Sequence, residues 1–115
     1  MRVRYCLDFL DVCATVPIDF VIADSIVAME GNGPLTATAR PLGTLVLADD
    51  TVAADATCAR IMGLEPDRVP HIHEASRFLG NSSVALIHQA GEALRRPQAP
   101  FQVVPEFRHL TAVYS

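Results

Sequence analysis

Apolar residues at Val3, Leu7, Leu10 and Cys13 recur at steps of three to four, which predicts an amphipathic helix over 3–15. Phe9, Val12 and Val16 broaden the apolar stripe, Asp8, Asp11 and Thr15 lie off it, and Pro17 closes the segment. The rhythm then changes. Residues 18–29, "IDFVIADSIVAM", are nearly continuous apolar and β-branched, which predicts a strand covered on both faces. Asp24 interrupts that run, and a carboxylate there needs a partner, a hydrogen bond or a place at the strand's end.

Residues 30–41, "EGNGPLTATARP", predict a loop: Gly31 and Gly33 permit positive φ, Asn32 tolerates it, and Pro34 and Pro41 punctuate. "LGTLVLA", 42–48, predicts a second strand. Asp49 or Asp50 then suits the N-cap of a helix over 51–62, with Gly63 as its stop and Pro66 beyond. That helix is apolar almost all round and needs cover on more than one side. "VPHIHEASRFLG" predicts another helix from Pro70 to Gly80, buried through Ile72, Ala75, Phe78 and Leu79. "SVALIHQAGE", 83–92, predicts a third strand, and the Pro-rich remainder an extended tail over 93–115 with a short strand at 101–104.

The order is helix, strand, loop, strand, helix, helix, strand, tail. It implies an α/β fold, a small layered sandwich with three or four strands in a mixed sheet and three helices. Residues 1–115 then form either a single domain or the C-terminal half of a larger one.

Composition narrows the function classes. Half of the 115 residues are hydrophobic and 19% are charged, a globular balance. Nine basic against thirteen acidic residues leave a net charge of −4, with no lysine and no basic run, so no nucleic-acid footprint is drawn. No run approaches the ~18 apolar residues of a membrane span. Cys6, Cys13 and Cys58 are three and widely spaced, with no C-x-x-C pair, so no zinc or iron–sulfur motif can be built from them. They read as core thiols in a reducing, cytoplasmic compartment.

"VIADSIVAMEGNGP" followed by "LGTLVLADDTVAADATCARIMGLEPDRVPHI" resembles the C-terminal part of the family catalogued as domain of unknown function 362. The resemblance rests on Asp24, on Glu30 to Pro34, on Gly43, and on Asp50, Ala53, Asp55, Ala59, Met62 and Gly63; the tail "GEALRRPQAPFQVV" is similar to the family's ending. It implies an association with iron–sulfur redox proteins, and a missing N-terminal half. The family's cysteine motif is absent here, so no cluster is carried onto this chain and the cofactor stays unknown.

The candidate ligand site consists of Asp24, Glu30, Gly31, Asn32, Gly33, Asp50 and Asp55. The glycines make either a plain turn or, lacking Cβ atoms, a cradle of N–H groups for an anion. They lack the lysine of a phosphate loop. Were the two strands neighbours, Asp24, Glu30 and Asp49–Asp50 could converge at one sheet end, where α/β folds bind ligands, and hold a hard cation or act as an acid/base pair. Asp49 and Asp50 are equally explained as caps. Asp55 lies too deep in its helix to cap it and reads as a tie to a neighbouring loop, such as the glycine loop. His71 and His73 stand two apart on a helix and do not chelate together. Cys58 reads as core.

Two functions follow. One is a small-molecule or metal-binding half-domain of a redox-associated enzyme. The other is a packing or oligomerisation module with no chemistry of its own, partnered by the missing half or by a second copy.

Overall fold

The structure is a computed structural model that describes residues 2–94 and 100–112, with side chains from Asp8 onward. Helix α1 spans Arg2–Thr15, strands β1 and β2 span Val21–Asn32 and Thr36–Ala48, helix α2 spans Thr51–Met62, and helix α3 spans Pro70–Ala75. Short 3-10 turns occupy Pro66–Arg68, Val84–Leu86 and Pro105–Leu110.

Among the described residues the sheet has two strands, paired antiparallel from Val21↔Ala48 to Asn32↔Thr36. The loop expected over 30–41 is therefore mostly strand. The reversal needs only the turn around Gly33–Pro34, and "TATARP" continues the ladder. Alternating Thr and Ala suit a pleated, half-covered surface, whereas the prolines suggested punctuation. Pro41 is tolerated because it stands opposite Val27 beside a register shift between Ser25 and Val27. Gly43, at φ +64°, supplies the left-handed residue that this irregularity uses.

β1 is not covered on both faces. Ile22, Ile26, Leu45 and Leu47 are all more than half exposed, and no residue of either strand is fully buried. The inner face, with Ala23, Ser25, Ala28, Leu42, Thr44 and Val46, is half-buried. Helix α2 packs on β2 and less extensively on β1.

The core lies among the helices. One cluster joins Ala56 and Ala59 of α2 to Val69 and Ile72, with Leu64 against it; a second joins Leu10 of α1 to Val52 and Ala75, with Leu79 alongside. Small side chains on α2 allow that close approach. The opening helix buries Leu10 but leaves Phe9, Val12 and Val16 exposed, so they lie off the buried stripe they were expected to widen. Helix α2 has the predicted bounds, with Asp50 as N-cap and Gly63 in the left-handed conformation at its end.

The expected strand over 83–92 is absent. The amides of Leu86 and Ile87 fold back on the Ser83 carbonyl, and Val84 and Leu86 are exposed. An apolar run becomes a strand only where it pairs with an edge, and Val84–Leu86 pairs with none among the described residues. Residues 101–104 form no strand either; they dock on the hairpin and on the end of α2. Part of the predicted tail, 95–99 and 113–115, lies outside the described residues, as does the side chain of Cys6.

Candidate functional site

The glycine turn holds a clasp. The Glu30 carboxylate accepts from the Gln102 backbone amide at 2.9 Å and from Arg40 Nη1 at 3.0 Å. Arg40 also donates to the Pro100 carbonyl at 3.0 Å and lies 4.4 Å over the Phe101 ring. The amide of Gly31 donates to the Gln102 carbonyl at 2.8 Å. One amide of the supposed anion cradle is thus already given to the tail. The Gln102 hydrogen bond, helped by Arg40, holds the Glu30 pKa below the ordinary glutamate value against a smaller desolvation effect. Gly33 packs tightly: a Cβ there would sit 2.6 Å from Met29 Sδ.

Asp50 stands at the far end of the hairpin. Its Oδ1 caps α2 by accepting from the amides of Val52 at 2.9 Å and Ala53 at 3.1 Å, and its Oδ2 accepts from the Asn81 amide at 3.0 Å. Asp24 accepts from the amide of Ile26 at 2.9 Å, bracing the register shift from the exposed face.

These carboxylates do not converge. Asp50 follows Ala48, which pairs with Val21, while Glu30 pairs with Thr38 at the other end. At about 3.4 Å per residue the two sites lie on the order of 30 Å apart along the ladder. Asp24 lies between them on the opposite face to the half-buried Glu30. The convergence expected from neighbouring strands fails because the hairpin is long: a turn at Gly33 carries Glu30 away from the end where α2 begins.

Asp55 does not reach the glycine turn. It shares a small cleft with Leu10 and Cys13 of α1, Thr51 of α2 and His71 and Ile72 of α3. Removal of water by these helices pushes its pKa up, with the nearby His71 pulling the other way, although the residue keeps over a third of its surface open. Cys58 lies three residues further along α2, and its thiol is pushed up by burial first and by Asp55 second. Among the described residues no group of three or more His, Cys, Asp or Glu side chains could hold a metal ion. No helix there is long and apolar enough to cross a membrane.

The larger concavity escaped the sequence reading. A groove of about 340 Å³ lies between β1 and α2, lined by Val27, Ala28 and Met29 on the strand, by Ile61 and Met62 on the helix, and by Phe101. Asp24, Ser25, Leu42 and Cys58 complete it. Arg40 and Gln102 were missed as well. A hairpin centred on Pro34 would have indicated Arg40, because Glu30 opposes Thr38 and the residue two further along is its diagonal neighbour. Nothing local marks Gln102, which binds through its backbone.

Residues 7–60 match the family described as Domain of unknown function (DUF362). A curated relative, the thylakoid-associated protein sll1697 of Synechocystis sp., is 34% identical over 67 residues, which cover 58% of this chain and 21% of that protein. The matched stretch is thus about a fifth of the relative's length. No solved structure matches the chain.

Proposed function

We propose that this chain, whose residues 7–60 match the DUF362 family, acts as a packing module that completes a larger fold or assembly. One observation carries the reading: strands of 12 and 13 residues pair only with each other among the described residues, and their outer face shows Ile22, Ile26, Leu45 and Leu47. A two-stranded hairpin is marginal in water without further strands or cover. Full burial of such a side chain is worth about 1.5–3 kcal/mol, so four that are more than half exposed leave on the order of 5 kcal/mol unrealised. That is comparable to the whole net stability of a small domain. Exposed apolar patches of this kind mark interaction surfaces.

The carboxylates support the same reading, since Asp24, Glu30 and Asp50 each accept backbone amides that shape the fold. On this reading any redox group belongs to the polypeptide that the module joins. Size-exclusion chromatography with light scattering tests it. The chain should self-associate or bind an apolar dye, and the double variant Ile22→Ser, Leu47→Ser should be a dye-silent monomer with unchanged helix content. A wild-type chain that is already a dye-silent monomer overturns the proposal.

A further inference from the structure

We infer that the open edge of β1 along Val21–Met29, with the groove beside it, accepts an extended apolar strand from polypeptide outside residues 1–115. The inference rests on the packing-module reading and gives that module a docking edge and a partner chemistry.

The chain already uses this edge once. The amide of Gly31 turns away from β2 and donates to the Gln102 carbonyl. Outward and inward amides alternate along an antiparallel strand, so the amides of Met29 and Val27 face the same open side. Val27 is paired with Pro41, which has no N–H to exchange. Among the described residues no backbone partner meets the Val27 or Met29 amide on that side. Among the described residues the tail therefore fills only the end of the edge nearest the turn.

Beside those amides lies the 340 Å³ groove, walled by Val27, Ala28 and Met29 and by Ile61 and Met62 of α2. An unpaired edge supplies affinity through main-chain hydrogen bonds, and a neighbouring pocket supplies selectivity for alternate side chains of the added strand. The lining is apolar apart from Ser25 and Asp24, and the Asp24 carboxylate accepts the Ile26 amide. An uncharged, apolar strand fits it.

The source of that strand follows from two facts. Inside the chain the best remaining strand-like run, around Val84–Ile87, is folded into a 3-10 turn by its own amides. Beyond it, the Synechocystis relative keeps about four fifths of its length outside the stretch matched here, which is 21% of that protein.

The test uses the intact 115-residue chain and, as probe, the relative's polypeptide with its matched stretch deleted. Binding should protect the Val27 and Met29 amides from hydrogen exchange by at least ten-fold. Val27→Pro, which removes an outward N–H, should weaken binding by at least ten-fold with unchanged circular dichroism; Val27→Lys, which keeps the amide but charges the edge, should weaken it also. Failure of the probe to bind, or binding that leaves these amides unprotected, overturns the inference. So does self-association through the same amides, which would make a second copy the occupant. If the Ile22→Ser, Leu47→Ser variant disperses the assembly while Val27→Pro does not, the packing reading stands and the edge assignment falls.

Discussion

Asp50 reaches across thirty-one positions to accept the backbone amide of Asn81 at 3.0 Å, while the same carboxylate caps α2. One side chain thus joins the hairpin's exit, the helix start and the segment after α3. Gly80 lies against it: a Cβ there would collide with the Asp50 carboxylate and lie 2.9 Å from Val52 Cγ2.

Replacing Asp50 by Ala should therefore cost more than a lost cap. The cap alone is worth about 1 kcal/mol, and an amide left unpaired adds about 1–3 kcal/mol. Urea denaturation should show a loss of about 2–4 kcal/mol, with Asp50→Asn intermediate. Gly80→Ala should lose a similar amount through overpacking of about 1–3 kcal/mol, and less of it in the Asp50→Ala background, where the obstructing carboxylate is gone.

The Glu30 clasp should open in acid. Its pKa is lowered in the folded state, chiefly by the Gln102 amide. A lowered carboxylate contributes stability above its unfolded pKa, and that contribution is lost as pH falls through the folded value. The Gln102 amide resonance should titrate with a midpoint below the ordinary glutamate range and stay flat in Glu30→Gln. The stability gap between wild type and Glu30→Gln should shrink as pH falls below about 4.3.

Asp55 should behave in the opposite sense. Its pKa is raised by burial, with His71 opposing. A raised carboxylate gives its stability below the unfolded pKa and loses it as pH rises through the folded one. Asp55→Asn should therefore gain stability at pH 7 relative to wild type, and the gain should vanish near pH 3. Because Asp55 also raises the Cys58 thiol, the variant should speed iodoacetamide alkylation of Cys58, read by peptide mass spectrometry.

α1 and α2 were legible because their signals are local, whereas α3 ends at Ala75, short of the Gly80 expected to stop it, and leaves Phe78 exposed. Asp50, the apolar run and Gly63 mark α2 within fourteen residues, and the structure reproduces its bounds. The hairpin was half legible: "TATARP" carries strand-compatible Thr and Ala, but its prolines are the stronger local cue and favoured a loop. Register could not be read without the turn position, and the supposed carboxylate cluster depended on register. The clasp was invisible for another reason, since Gln102 contributes backbone atoms and lies seventy-two positions from Glu30. The third strand failed because an apolar run such as Val84–Ile87 says what it can pair with only when an edge is present.

The end of α2 is a meeting point. Phe101 donates its amide to the Met62 carbonyl, Ala112 to that of Gly63, and Glu65 to that of Leu110, with an isolated bridge between Leu64 and Thr111. On a ribosome that synthesises from the N-terminus, these groups stay open until residues 101–112 have left the exit tunnel. A helix complete in sequence at Met62 is then finished in structure only once Ala112 has emerged, and a nascent chain stopped before that point would hold it with its terminal carbonyls still bound to water.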